Sequence, residues 1–273
     1  MQKFCLIGYK ISYSLSPVIH RKVFSILGLD ADYEIVDINP EEFNTKIEQV
    51  FTKYAGFNVT IPYKVEVAKR LAKLSREAEI TGAVNTVKTS DRSGYNTDVY
   101  GIIHSIRMEG VSVEGAKVLI LGAGGAARAA VYAFHILGAD RIVICNRTLD
   151  RAIELKEHFQ KHNINVEVKS WAERNHIARK SDIIINCTPV GTLSWESPLS
   201  DTVFRSGQIV IDMVYRPRIT KMLSDAIKCG AKIIDGLRIL VLQALEADKI
   251  WLNANVVRDD IYNQVMEEVL RYV

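Results

Sequence analysis

The sequence predicts two α/β domains, each a largely parallel sheet with crossover helices, the second doubly wound around a nucleotide-binding loop. Three observations point there. Short apolar runs alternate with amphipathic segments from one end of the 273 residues to the other. A glycine loop, Gly122-Ala123-Gly124-Gly125-Ala126-Ala127, follows the apolar run Val118-Leu119-Ile120-Leu121 and opens a helix-like stretch. The first hundred residues lie ahead of that loop and carry strands and helices of their own, so a separate domain precedes the nucleotide site.

The elements follow in order. Phe4 to Ile7 reads as a strand, and a helix from Pro17 places Ile19, Val23, Ile26 and Leu27 on one face and stops at Gly28. Tyr33 to Ile38 is a second strand, Glu41 to Phe51 a helix entered through Asn39-Pro40, and Phe57 to Ile61 a third strand. The pattern then predicts a helix over 64–74, and Asp91-Arg92-Ser93-Gly94 is a turn joining two short extended pieces. From Lys117 the order is strand 117–121, helix 125–137, strand 141–145, helix 150–161, strand 165–168, a short helix, strand 182–187 and strand 208–212. Leu237 to Leu252 is apolar almost all round and predicts a buried helix, and an amphipathic helix follows Val256. Two late helices need something to cover. The expected arrangement is a discontinuous first domain, 1–100 plus 238–273, a second domain over 101–237, and a substrate cleft between them.

Composition narrows the class. A net charge of +3, from 35 basic against 32 acidic residues, is small and interspersed, which argues against nucleic acid or an anionic membrane surface and for a small-molecule partner. The N-terminus lacks the apolar core of a signal peptide, and no apolar stretch approaches the ~18 residues of a membrane span. The expected location is the cytoplasm. Cys5, Cys145, Cys187 and Cys229 are far apart and fall mostly in or beside apolar runs, a pattern of reduced, buried thiols. The histidines show no ligand spacing with cysteines or carboxylates, and no metal is expected.

In the glycine loop, the first glycine allows the tight turn, the second lets the backbone approach a pyrophosphate, and the small Ala127 lets helix and strand pack closely. The next strand ends in Cys145-Asn146-Arg147-Thr148. An NAD site usually places Asp or Glu there to hold ribose hydroxyls, and Asn146 takes that slot. Arg147 and Arg151 stand at the start of a helix, where positive charge opposes the macrodipole and a phosphate would relieve the conflict. The alternative is two solvated arginines on a surface helix. The placement favours NADP.

In the first domain, Ser16 is placed to be an N-cap and Pro17 the first helical residue. Two serine hydroxyls, Ser14 and Ser16, beside the free N–H groups of a helix start would also suit a carboxylate. Asn58-Val59-Thr60-Ile61-Pro62-Tyr63-Lys64 shows polar side chains leaving the end of an apolar strand, where α/β sites collect their residues. Asn85 and the run Asn96-Thr97-Asp98 add small polar groups. Gln243 interrupts an apolar helix, so it either lies on a solvent edge or is a buried amide with partners; Tyr215 could equally be a packing residue.

Taken together, Ser14-Leu15-Ser16-Pro17, Gly56 to Lys64, Gly82-Ala83-Val84-Asn85-Thr86, Asn96-Thr97-Asp98, Gly122 to Ala127, Asn146-Arg147-Thr148 and Asp212-Met213-Val214-Tyr215 resemble, in order and spacing, the shikimate dehydrogenase family. The resemblance covers nearly the whole chain. It implies a Rossmann-like second domain and reversible, NADPH-dependent reduction of 3-dehydroshikimate to shikimate in aromatic amino-acid biosynthesis. It further implies that Ser14 and Ser16 hold the substrate carboxylate and that Asn85, Asp98 and Gln243 bind ring hydroxyls. Thr60 and Tyr215 would line the same pocket, and Lys64 would act as acid/base paired with Asp98. Gly122, Ala123, Gly124, Gly125, Ala126, Asn146, Arg147, Thr148, Arg151, Met213 and Gly236 would bind the cofactor. The chain is expected to work as a monomer or homodimer.

The match departs at Arg238 and Ile239, where the family commonly has glycine and methionine after the Gly236-Leu237 pair, and at Arg216, which replaces a usual asparagine. These bear on cofactor docking and preference, not on the acid/base or carboxylate positions. Two rivals remain. One is a quinate/shikimate dehydrogenase with broader substrate and cofactor use; the other is a silent nucleotide-dependent sensor, which loss of Lys64 or Asp98 would have favoured.

Overall fold

The computed structural model describes residues 1–273. Twelve strands and eleven α-helices run in the order β1 (Gln2–Gly8), α1 (Ser16–Ile26), β2 (Ala31–Asp37), α2 (Phe43–Lys53), β3 (Gly56–Val59), α3 (Lys64–Ala68), β4 (Lys73–Leu74), α4 (Arg76–Thr81), β5 (Thr86–Lys88), β6 (Ser93–Tyr95) and α5 (Thr97–Met108). Then come β7 (Lys117–Leu121), α6 (Gly125–Ile136), β8 (Arg141–Asn146), α7 (Leu149–Gln160), β9 (Glu167–Ser170), α8 (Arg174–Lys180), β10 (Ile183–Asn186), β11 (Ile209–Asp212), α9 (Lys221–Lys228), β12 (Lys232–Ile234), α10 (Gly236–Leu252) and α11 (Asp259–Val269). The chain divides into two compact units, Met1–Tyr100 with Val241–Tyr272, and Gly101–Leu240. The second boundary falls at 240/241, inside α10, rather than at 237/238.

Unit 1 is built on a six-stranded sheet in the order β2-β1-β3-β5-β6-β4. β1 pairs in parallel with β2 and β3, but β5 pairs antiparallel with both β3 and β6. The sheet is therefore mixed, not largely parallel. The antiparallel β5–β6 pair follows from the expected turn after β5, tightened by Ser93 Oγ donating to Asp91 Oδ1 at 2.6 Å, which reverses the chain within a few residues. A hairpin leaves no room for the crossover that a parallel pair requires.

The helix expected over 64–74 is also corrected. Only Lys64–Ala68 is helical, Lys73–Leu74 extends to pair with β6, and a further helix, α4, starts after Ser75, whose hydroxyl accepts from the Ala78 N–H at 3.2 Å. Leu71 and Leu74 pack on the apolar cluster around Phe57 and Val84, so their burial does not require a helix. On the other side of the sheet, Phe4 and Tyr33 meet Ala247 and Trp251 of α10. The Trp251 indole donates to the Val87 carbonyl at 2.9 Å. A Cβ on Gly56 would lie 2.4 Å from that indole nitrogen, which accounts for the glycine opening β3.

Unit 2 is a six-stranded sheet in the order β12-β11-β10-β7-β8-β9, with every neighbour parallel. Numbered from its own first strand this is 6-5-4-1-2-3, the doubly wound nucleotide-binding order, whose direction reverses between β7 and β10. The buried runs Val118–Leu121 and Ile183–Ile185 form the middle of the sheet. Helix α9 and strand β12 complete it beyond the elements read from the sequence.

Candidate active site

In unit 1 the polar residues gather where β1, β3 and their neighbours end. Asp37, at the end of β2, accepts from the backbone N–H groups of Lys10 and Ile11 at 2.9 and 3.2 Å and so fixes the loop that carries Ser14. Helix α1 begins at Ser16 itself, with Leu15 in the capping position and no side-chain cap. Ser16 is thus not the N-cap that the sequence suggested. Instead the Ser14 hydroxyl accepts from the Ser16 N–H and donates to Ser16 Oγ, both at 3.2 Å. The pair lies at the start of a helix whose capping residue, Leu15, offers no side-chain acceptor, an arrangement suited to a carboxylate.

Lys64 opens α3 and is anchored by its neighbour. Tyr63 is buried, stacks on Phe43 at 4.2 Å and donates to the Ile38 carbonyl at 2.5 Å. The Lys64 ammonium, 15% exposed, donates to Asp98 Oδ2 at 2.5 Å, and the Asp98 side chain is 7% exposed. Asp98 lies in the first turn of α5, where the helix N-terminus favours negative charge. An ammonium has three hydrogens, so one bound by Asp98 leaves two for a ligand oxygen.

Asn85 joins this pair to the rest. Its Nδ2 lies 2.9 Å from Asp98 Oδ1, 2.9 Å from Thr97 Oγ1 and 3.1 Å from Gln243 Oε1. Thr97 Oγ1 also lies 3.2 Å from Gln243 Oε1, which draws its hydroxyl into the same network. Gln243 is buried, not on a solvent edge. Thr60 caps the same strand end, its N–H bonded to the Ile7 carbonyl at 2.9 Å and its methyl packed where a Cβ on Gly8 would intrude. The structure thus brings Lys64, Asn85, Asp98 and Gln243 into one network, with Thr60 nearby in sequence and Ser14 and Ser16 on the neighbouring strand end. Tyr215 belongs to unit 2.

In unit 2 the glycine loop lies at the reversal of strand order. Gly122 has φ +108°, open to glycine but costly for other residues, and a Cβ there would press on the Cys187 carbonyl at 3.1 Å. Gly124 precedes α6 with no side-chain cap, and a Cβ there would meet nothing within 4 Å. Uncapped helix N–H groups beside open backbone fit a pyrophosphate. At the end of β8, Asn146 Nδ2 donates to the Thr148 carbonyl at 2.7 Å, and Arg147 and Arg151 are exposed around the start of α7. Those residues fit a cofactor carrying a further phosphate. Gly236 has a packing reason of its own, since a Cβ there would lie 2.5 Å from the Val214 carbonyl oxygen.

Arg238 pairs with Glu109, and its backbone N–H is held by Asp235 Oδ1 at 3.0 Å. The long cation is therefore engaged by a carboxylate of its own unit. Cys5 and Cys145 are buried, and burial pushes the Cys145 thiol up to about 12, so both are inert as nucleophiles.

Two residues were given no role by the sequence. Asp212, fully buried at the end of β11, accepts from Val214 N at 3.0 Å, Asn186 Nδ2 at 2.9 Å and Thr220 Oγ1 at 2.7 Å. Burial raises its carboxyl to about 7, against the lowering effect of those three donors. It shapes the segment that bears Met213 and Tyr215. The signal was available, since Asn186 and Asp212 are polar residues closing apolar strands at the switch of strand order. The other residue is Tyr33, an ordinary strand residue by pattern, whose hydroxyl donates to Asn58 Oδ1 at 2.6 Å in the interior.

A buried ammonium–carboxylate pair in one unit and a doubly wound sheet with a phosphate-ready loop in the other define a nucleotide-dependent oxidoreductase. Comparison with known proteins makes this specific. A family profile described as the shikimate dehydrogenase substrate binding domain matches residues 6–87, and one described as shikimate / quinate 5-dehydrogenase matches residues 105–223. The NADP(+) shikimate dehydrogenase of Ignicoccus hospitalis is 39% identical over 265 residues, covering 96% of this chain and 98% of its own. The crystal structure of shikimate 5-dehydrogenase from Thermus thermophilus, in complex with NADP(H) and shikimate, superposes with a TM-score of 0.87 at 31% identity and full coverage of both chains. That of shikimate dehydrogenase 1 from Peptoclostridium difficile gives 0.89 at 34%, again over both chains in full. The chain belongs to the shikimate dehydrogenase family.

Proposed function

We propose that this protein catalyses the reversible NADPH-dependent reduction of 3-dehydroshikimate to shikimate in aromatic amino-acid biosynthesis. Residues 1–100 with the C-terminal helices hold the substrate, and 101–237 hold the cofactor. The observation that carries the reading is the Lys64–Asp98 contact inside the Asn85–Gln243 network. Bound NADPH supplies the reducing equivalent to the ketone carbon.

The chain's own residues do the rest. Ser14 and Ser16 bind the substrate carboxylate at the start of α1. Asn85, Asp98 and Gln243 take up ring hydroxyls, and Thr60 and Tyr215 line the pocket. As negative charge grows on the ketone oxygen, the Lys64 ammonium stabilises it and transfers a proton to it; in the oxidising direction the same nitrogen, neutral, accepts the alcohol proton. Asp98 fixes the direction in which the ammonium points. In the other unit, Gly122, Ala123, Gly124, Gly125 and Ala126 hold the pyrophosphate. Asn146, Arg147, Thr148 and Arg151 hold the adenosine ribose and its 2′-phosphate, and Met213 and Gly236 border the remainder of the cofactor.

No helix is long and apolar enough to cross a membrane; we place the enzyme in the cytoplasm, as a monomer or homodimer. A broader enzyme that also oxidises quinate stays in view because the second profile is described by both substrates. Following nicotinamide absorbance with shikimate and quinate, each with NADP and NAD, separates the readings. Reduction of NADP by shikimate alone supports the dedicated enzyme. Comparable quinate or NAD turnover favours the broader one, and no turnover with any pair rejects both.

A further inference from the structure

Tyr33 is fully buried on β2 and has no access to a ligand, yet its hydroxyl begins a series of hydrogen bonds that ends at the Lys64–Asp98 pair. It donates to Asn58 Oδ1 at 2.6 Å. From Asn58 the series continues, with Nδ2 donating to Thr86 Oγ1 at 2.9 Å, Thr86 Oγ1 donating to Asn85 Oδ1 at 3.1 Å, and Asn85 Nδ2 donating to Asp98 Oδ1 at 2.9 Å. Every link can run in one sense, from the Tyr33 hydroxyl to the carboxylate that holds Lys64, and bonds aligned head to tail polarise one another.

The ring that carries this hydroxyl is itself clamped. His20 stacks on Tyr33 with centroids 4.1 Å apart and planes 13° from parallel. His20 Nδ1 lies 2.8 Å from Asp248 Oδ1, both side chains fully buried. His20 is one helical turn beyond Ser16 on α1, and Asp248 stands five residues beyond Gln243 on α10. The pair thus ties together the two helices that present Ser16 and Gln243, with Tyr33 against it. A polar pair in an apolar interior is costly in desolvation, and this one holds α1 to α10.

We infer that the Tyr33 hydroxyl is a positioning group for catalysis, holding Asn85 and the Lys64–Asp98 pair in place through Asn58 and Thr86 in one directed chain of hydrogen bonds. The inference rests on the proposed shikimate reading and assigns a part to a residue that touches neither substrate nor cofactor.

The test is steady-state kinetics on wild type, Tyr33→Phe and Thr86→Val, with shikimate and NADP varied in turn and melting temperature recorded. Tyr33→Phe removes one oxygen and keeps the stacked ring, and Thr86→Val cuts the same chain two links on without relying on the first variant to fold. Both should lose about ten- to a hundredfold in kcat/KM for shikimate, as expected when a buried acceptor loses its donor. KM for NADP, set in the other unit, should stay within about twofold. Folded variants with wild-type kcat/KM, or variants that lose shikimate and NADP affinity alike, would overturn the inference. Wild-type protein without shikimate turnover would sink the proposed function, and this inference with it; active wild type beside unchanged variants sinks the inference alone.

Discussion

Asp212 offers a quantitative test of how the cofactor-side unit is held together. Its carboxyl keeps its proton up to about 7 in the folded chain, against 3.8 for an ordinary aspartate. Between those values the folded state binds more protons than the unfolded one, so stability falls as pH rises, and the loss levels off only above about pH 7. One pH unit of displacement is worth about 1.4 kcal/mol, so the whole effect is about 4 kcal/mol, of which about 2.5 kcal/mol falls between pH 5 and pH 8. Asp212→Asn removes the titration. The amide oxygen can still accept from Val214 N and Asn186 Nδ2, while its NH₂ faces Thr220 Oγ1, which must turn its hydroxyl; that cost is the same at every pH. Urea unfolding of wild type and variant, followed by circular dichroism at pH 5 and pH 8, gives the difference between them at each pH. The variant should gain about 2.5 kcal/mol on wild type from pH 5 to pH 8. A difference constant to within about 0.5 kcal/mol would show that Asp212 ionises like an exposed aspartate, and the burial argument would be wrong.

Lys64→Ala should lower kcat by about two orders of magnitude or more while leaving shikimate binding, read by calorimetry, largely intact; near-normal turnover would remove Lys64 from acid/base chemistry. Replacing Arg147 and Arg151 together by alanine should raise KM for NADPH far more than for NADH, and equal losses would mean that neither reads the 2′-phosphate. Gly236→Ala should destabilise the fold by about 1–3 kcal/mol in chemical unfolding, because the new Cβ meets the Val214 carbonyl at 2.5 Å; an unchanged midpoint would show that the start of α10 shifts freely.

The second unit was readable nearly strand by strand because its signals are local. Val118–Leu121 and Ile183–Ile185 are apolar runs bounded by breakers, and a parallel sheet buried on both faces asks for nothing more. In the first unit, Leu71 and Leu74 fit a helical period yet are buried by packing from a turn and a short strand, a choice made by the tertiary core around Phe57. The acid/base candidates Lys64 and Asp98 were legible through motif resemblance, not through pattern. What no local pattern could supply is partnership across the fold: that Gln243 answers Asn85, 158 residues away, or that Arg238 is answered by Glu109, 129 residues away. Ser16 shows the opposite limit, since the capping rule named the right helix end and missed the first helical residue by one position.

The discontinuity of unit 1 has a consequence for how the protein is made. Residues 101–240 are one continuous stretch and can close their sheet as soon as they leave the ribosome, whereas one face of the sheet begun by β1 has to wait for its cover. Phe4 and Tyr33 find Ala247 and Trp251, and the Val87 carbonyl finds its indole donor, only when the last part of the chain emerges. The first residues synthesised are therefore among the last to be buried, and their apolar face stands open throughout synthesis of the middle of the chain. Domains usually mature from the N-terminus onward; here the order is inverted, and the nascent N-terminal hundred residues are the segment most in need of shelter from aggregation.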